Sequence, residues 1–327
     1  MAIQRNAPLP DGLNLCGHRI IKKLACGGFS IVYLARAENG KAVAIKEYLP
    51  SGLVKRKPGE LVPAVSSENL AAYHVGLKHF FDEGRALARI AHPNVVSVVN
   101  FFRANYTVYM VMTYESGHTL QEHIIRRREK LTRPLVSERF IRNMFGCVMN
   151  GLREVHSNKL LHLDVKPANI YVRRDGTPIL LDFGAARQML KDDASNYPIY
   201  TPGFAPPEVY EKIGCLGPWS DIYSTGASMF SCMVGAPPQP ADQRKLNDKM
   251  DFYFEKLEGH YSPSLIEVIR WSLMMDPAKR PHSVFEMQKA LQIPFEPIVV
   301  EPEDVISGMT QRIRQFLGFG LSRQSTW

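Results

Sequence analysis

Cysteine is scarce: Cys16, Cys26, Cys147, Cys215 and Cys232 are the only five in 327 residues, and no two form a C-x-x-C pair. The odd number and the spacing count against a disulfide framework or a zinc ribbon, and reduced thiols in the cytoplasm are the expected state. No apolar run reaches the roughly 18 residues that span a bilayer. The start, Met1 to Pro10, lacks the hydrophobic stretch of a secretory leader. Internal repeats and low-complexity linkers are missing too. The 40 Lys and Arg outnumber 32 Asp and Glu, giving +8 at pH 7, but the excess is spread along the chain without a basic stripe interleaved with aromatics. Nucleic acid is therefore not an expected partner. What is present, 45% hydrophobic and 22% charged residues, supplies a sizeable core and argues against disorder.

Short alternating segments come first. Arg19 to Leu24, Ile31 to Arg36 and Ala42 to Glu47 read as an antiparallel meander, with Glu38-Asn39-Gly40 as a turn. Pro50 to Ser67 reads as loop, with room for a short hairpin. Apolar residues at helical spacing from Asn69 to Ile90 predict a long helix, with a break expected at Gly76. Val95 to Phe102 and Thr107 to Tyr114 complete five strands around one helix. Beyond Gly117 the helical patterns Phe140 to Ser157, Ile222 to Val234 and Ser264 to Met275 predict a second, mainly helical lobe.

Four blocks carry chemistry. Between the first two strands lies Ala25-Cys26-Gly27-Gly28-Phe29-Ser30-Ile31-Val32, whose small residues let backbone N–H groups approach phosphates. A non-functional tight turn fits it nearly as well. Val43-Ala44-Ile45-Lys46 ends the third strand with a cation, and Glu83 on the following helix can pair with Lys46. The third block is His162-Leu163-Asp164-Val165-Lys166-Pro167-Ala168-Asn169, followed by Asp182-Phe183-Gly184. Pro167 makes that loop rigid, and Asp164, Asn169 and Asp182 are oxygen donors of the kind Mg²⁺ prefers. His162 and Phe183 read as packed core side chains. The fourth block is Thr201-Pro202-Gly203-Phe204-Ala205-Pro206-Pro207-Glu208.

In this order and spacing, the blocks resemble the eukaryotic-type serine/threonine protein kinases, in the form found in bacteria. The resemblance runs from about His18 to about Leu291. It implies an α+β, bilobal protein-kinase-like fold: a small five-stranded antiparallel lobe with one main helix at 18–115, and a larger helical lobe at 116–293. Residues 1–17 would be an extension and 294–327 a tail. The implied activity is transfer of the γ-phosphate of ATP to protein Ser or Thr hydroxyls, autophosphorylation included, in signalling. Asp164 would orient the substrate hydroxyl, Lys166 steady the γ-phosphate, and Lys46 with Glu83 hold the α- and β-phosphates. Asn169 and Asp182 would hold Mg²⁺, with Mn²⁺ as the alternative. Leu24, Ala25, Cys26, Gly27, Gly28, Phe29, Ser30, Val32 and Ala44 would surround the nucleotide, with Met112 as gatekeeper and the backbone of Thr113 and Glu115 at the purine. Glu208 would pair with Arg280, and Asp221 would anchor the catalytic loop.

The departures are specific. Ala25 and Ser30 replace two glycines of the phosphate loop, and Leu163 stands where many regulated members carry arginine, which argues against strict dependence on loop phosphorylation at Ser195, Tyr197, Tyr200 or Thr201. Tyr48 to Ala72 reads as an insertion. Arg126-Arg127-Arg128, with Lys130 and Arg133, reads as a solvated helix face. The tail stripe of Ile306, Met309, Ile313, Phe316 and Leu317 would dock on the chain's own second lobe, with peripheral membrane contact as the alternative. The rival reading is an ATP-binding pseudokinase scaffold. A small-molecule kinase would lack the Thr201 to Glu208 block.

Overall fold

The computed structural model describes residues 4–129, 135–183, 187–188, 200–211 and 216–291. The expectations placed on Gly184, Ser195, Tyr197, Cys215, Lys130, Arg133 and the tail lie outside them.

The first lobe comprises β1 (Asn14–Leu15), β2 (His18–Cys26), β3 (Ser30–Ala37), β4 (Ala42–Tyr48), the short β5 (Val54–Lys55) and β6 (Ala64–Val65), helix α1 (Leu70–Leu87), β7 (Val98–Ala104) and β8 (Thr107–Thr113). The main sheet runs β1-β2-β3-β4-β8-β7, the five expected strands plus a two-residue edge. In β3 the alternation buries Ile31, Tyr33 and Ala35 on one face. Central β4 is buried along both faces from Val43 to Tyr48, which requires cover on each side. One cover is α1, through Tyr73, Phe80 and Leu87. The other is the chain before the sheet together with the Tyr48 to Ala72 insertion: Leu9 and Leu15 are buried, and so is Arg56.

The expected break at Gly76 does not occur, and α1 runs through it. A Cβ at 76 would overlap the Tyr48 hydroxyl, so this glycine serves close packing of helix on strand. Tyr48 then stacks on Tyr73, 5.7 Å between ring centroids, and packs against Phe80 at 5.6 Å.

The second lobe comprises β9 (Gly117–Thr119), α2 (Leu120–Glu129), α3 (Glu138–Ser157), β10 (Leu160–Leu161), β11 (Ile170–Arg173), β12 (Pro178–Leu180), β13 (Arg187–Gln188), α4 (Pro207–Glu211), α5 (Pro218–Val234), α6 (Ala241–Leu246), α7 (Met250–Glu255), α8 (Pro263–Ser272) and α9 (Val284–Ala290). Arg126 to Arg128 occupy the last turn of α2, where cations complement the helix dipole. Helix α3 starts where Ser137 Oγ accepts from Phe140 N, and buries Ile141, Met144, Phe145, Val148, Met149 and Leu152. Burying each such side chain contributes about 1.5–3 kcal/mol. Helix α5 is buried from Ser220 to Met233, which explains why its polar members Ser224, Thr225 and Ser228 hydrogen-bond backbone carbonyls. Thus a small antiparallel sheet lobe sits on a helical lobe, with β10 to β12 at the junction.

Candidate active site

The segment between β10 and β11 is held from below by one buried carboxylate. Asp221, in the first turn of α5, accepts from Leu163 N through Oδ1 at 2.7 Å, and from His162 N and His156 Nε2 through Oδ2 at 2.9 and 2.8 Å. Burial alone would raise its pKa, but the His156 hydrogen bond and charge hold it below the usual range. The backbone there is strained: Leu163 is a buried, non-glycine residue at φ 61°. Asp221 is what fixes it. His162 is fully buried, with a pKa lowered by burial, and its ring packs tilted against Phe183, 4.3 Å between centroids. Its Nδ1 accepts from Asp164 N, so Nε2 donates to Leu181 O at 3.1 Å. His162 is thus a neutral spacer beneath the loop.

Above it, Asp164 is the centre of a small network. Oδ2 accepts from Lys166 Nζ at 2.6 Å and Asn169 Nδ2 at 2.8 Å, and Oδ1 accepts from the Thr201 hydroxyl at 3.1 Å. Lys166 Nζ also donates to Thr201 Oγ1 at 2.8 Å. Asn169 is set beside the next segment because Leu181 N donates to Asn169 O at 2.8 Å. Asp182 follows at φ 56°, its side chain 49% exposed.

One expected pairing is different. Lys46 Nζ makes its ion pair with Asp182 Oδ1 at 2.5 Å, above the ring of Phe80, and Glu83 Oε1 is buried with no hydrogen-bond partner among the described residues. The two acids differ in their surroundings. Burial pushes the Glu83 carboxyl up to about 8 despite Lys46, whereas the ammonium holds the Asp182 carboxyl below its ordinary value. The ammonium hydrogen-bonds the more exposed of the two acids, with Glu83 still in its field.

The roof follows from strand register. Ala25 pairs with Val32, Val32 with Lys46, Ala44 with Met112, and Lys46 with Met110, so period 2 places these side chains on one face, above the Asp182 segment. Leu24 and Phe29 are exposed, as is Cys26. Thr113 N donates to Ser97 O, so its amide is already committed. Glu115 O accepts from Tyr171 Oη at 3.3 Å, and its carboxylate pairs with Arg173 at 3.3 Å.

The segment that carries Thr201 is followed by a buried ion pair, Glu208 with Arg280. They form two parallel hydrogen bonds, 2.9 and 3.0 Å, with Arg280 only 1% exposed. Ser220, Trp219 O, Met274 O and Met275 O satisfy the remaining donors and acceptors. Gly203, at φ 86°, lies so close to Pro237 and Pro238 that no side chain fits.

A family model describing the protein kinase domain matches residues 18–295. The chain belongs to the protein kinase family. Among its curated relatives are a serine/threonine-protein kinase PknA of Nostoc, 26% identical over 289 residues, and a serine/threonine-protein kinase B of Synechocystis, 27% identical over 249. These alignments take in 84% and 72% of this chain but 47% and 41% of the relatives, so this kinase chain spans less than half their length. The apo form of PpkA-294 is similar in structure at TM-score 0.76 and 33% identity, covering 87% of this chain and 99% of that one. The PknI kinase domain of Mycobacterium tuberculosis, 22% identical at TM-score 0.63, shares the fold over 88% of this chain and 98% of its own.

Sequence reading brought together Lys46, Asp164, Lys166, Asn169, Asp182 and Thr201. It missed Glu47, Arg56 and Gln4. Glu47 follows Lys46 in the sheet, is wholly buried, and accepts from the two terminal guanidinium nitrogens of Arg56 at 2.5 and 2.8 Å. A carboxylate in a strand buried on both faces was the available signal that a buried cation must exist.

Proposed function

We propose that this chain is a serine/threonine protein kinase that moves the γ-phosphoryl group of ATP onto protein hydroxyls, its own among them. The observation that carries the reading is the position of the Thr201 hydroxyl, which donates to Asp164 Oδ1 and accepts from Lys166 Nζ. A hydroxyl held between a carboxylate and an ammonium is the setting a phosphoryl acceptor requires. In the reaction the acceptor oxygen forms a bond to the γ-phosphorus, the bond to the β,γ-bridging oxygen breaks, ADP leaves, and Asp164 takes the hydroxyl proton. Lys166 steadies charge on the transferring group. Lys46 lies under the phosphate loop Ala25 to Ser30, suited to the α- and β-phosphates, and the backbone of Thr113 and Glu115 flanks the purine.

The donor set suits a hard dication. Asp182 offers a half-exposed carboxylate, and Asn169, whose Nδ2 faces Asp164, directs its carboxamide oxygen elsewhere. We assign Mg²⁺, or Mn²⁺, to these two residues, where it would neutralise phosphate charge. No helix among the described residues is long and apolar enough to cross a membrane. The cytoplasm is the proposed compartment, on cysteine usage.

The test is transfer of labelled γ-phosphate from Mg²⁺-ATP by the purified chain to itself and to a basic acceptor protein, beside Asp164→Ala and Asp182→Ala. Phosphoserine or phosphothreonine present in the wild type and lost in both variants supports the reading. Nucleotide binding without any transfer would leave a scaffold, and no nucleotide binding would remove the assignment.

A further inference from the structure

Three consecutive carbonyls at the tip of the β2–β3 hairpin accept hydrogen bonds from chain outside the hairpin. Gly27 O accepts from Gln4 Nε2 at 3.0 Å, Gly28 O from Ser51 N at 2.8 Å, and Phe29 O from Leu49 N at 2.7 Å. Gln4 Nε2 also donates to Leu49 O at 2.8 Å, so one side-chain amide ties the hairpin to the start of the insertion.

The tie has a fixed origin. Gln4 Oε1 accepts from Asn6 N and Nδ2 at 3.1 and 2.9 Å, and Asn6 Oδ1 accepts from Arg56 N at 2.8 Å. Ala7 N donates to Arg56 O at 3.0 Å, and Arg56 Nε to Ala7 O at 2.8 Å. The Arg56 guanidinium is locked on buried Glu47, which also accepts from Tyr33 and Tyr109 at 2.7 and 2.9 Å. A continuous set of hydrogen bonds therefore runs from the strand residue next to Lys46, across the sheet face opposite the cleft, to the hairpin tip.

We propose that Gln4 is a positioning residue for nucleotide binding: with Leu49 and Ser51 it holds the phosphate loop preformed. This rests on the reading of Ala25 to Ser30 as the cover over the ATP phosphates. A trans peptide directs its N–H opposite to its C=O, so tying the carbonyls of Gly27 and Gly28 turns the amides of Gly28 and Phe29 away from the clamp. A tethered loop loses less conformational freedom on binding than a free one. The tether also accounts for the tolerance of Ala25 and Ser30, because a loop held in one conformation does not need the backbone freedom of three glycines.

The experiment compares the full wild-type chain with Gln4→Ala and Gln4→Glu. The glutamate variant keeps the shape and the acceptor that Asn6 uses, but has no donor for Gly27 O or Leu49 O. Hydrogen exchange is measured on peptides covering 24–30, with and without Mg²⁺-ATP, together with KM for ATP, kcat and the melting temperature. Faster exchange confined to 24–30, with KM for ATP raised about three- to tenfold and kcat changed by less than about twofold, is expected in both variants. Unchanged loop exchange or unchanged KM in the variants, with ATP still protecting the wild-type loop, overturns the role of Gln4 alone. Loss of protection throughout the first lobe would mean a general structural role and would also overturn it. A wild-type loop that Mg²⁺-ATP does not protect removes the phosphate-loop reading itself.

Discussion

Lys46 Nζ pairs with Asp182 Oδ1 at 2.5 Å, and the Glu83 carboxyl, reaching the same region from α1, has a buried Oε1 without a hydrogen bond among the described residues. The ammonium is in the field of both acids and hydrogen-bonds the more exposed one. Burial raises the Glu83 carboxyl from 4.5 to about 8, so between those values the folded chain holds a proton that the unfolded chain releases. Stability from this group is present in full below pH 4.5 and is lost as pH rises towards about 8. Glu83→Gln mimics the protonated acid. The variant is expected to have a flatter melting temperature against pH across that window and to exceed the wild type in melting temperature above it. Parallel profiles for the two proteins would show that Glu83 is ionised in the fold.

The loop that carries Asp164 offers a cleaner separation of position from stability. Asp221 holds two successive backbone amides, of His162 and Leu163, and the second belongs to a residue at positive φ. Asp221→Asn replaces one acceptor oxygen by a donor, which cannot serve an N–H. The loop then relaxes and Asp164 shifts. A displacement on the order of 1 Å lowers turnover about a hundredfold. The expected result is that loss in kcat with far-ultraviolet circular dichroism unchanged, and wild-type kcat in Asp221→Asn would separate the anchor from catalysis.

Thr201 bridges Asp164 Oδ1 and Lys166 Nζ at 3.1 and 2.8 Å. Thr201→Val keeps the volume and removes both hydrogen bonds, so kcat/KM for the protein acceptor should fall about five- to tenfold. Thr201→Ser restores the hydroxyl and should recover most of the activity. A serine variant no better than valine would mean that the methyl group, and not the hydroxyl, matters.

How far the sequence reaches is clear from individual residues. The cluster around Asp164 was legible because Asp164, Lys166 and Asn169 are close in sequence on one short loop. The helix at α3 was legible because its apolar residues keep a 3.6 period. Gly76 misled, since a glycine kept for the Tyr48 hydroxyl reads the same as a glycine that breaks a helix until the partner is known. Lys46 was read beside Glu83, which does lie in its field, but the acid that takes its hydrogen bond is Asp182, far away in sequence and therefore not indicated by helix spacing. Arg56 sits in a polar loop whose composition gives no sign that it turns inward to Glu47.

The buried pair of Glu208 and Arg280 permits a prediction about stability with a built-in control. Both side chains are almost fully buried, doubly hydrogen-bonded to each other, and Arg280 stacks 4.9 Å over the Tyr223 ring. Arg280→Met leaves the Glu208 carboxylate buried with only Ser220 as a donor among the described residues, and should cost about 3–5 kcal/mol in a denaturant melt. Arg280→Met combined with Glu208→Gln removes the stranded charge as well. The double variant should regain part of that loss, because two charges no longer have to be desolvated. If the two changes instead add, each residue acts through its own backbone and packing contacts, and the ion pair contributes nothing of its own to the floor beneath Thr201.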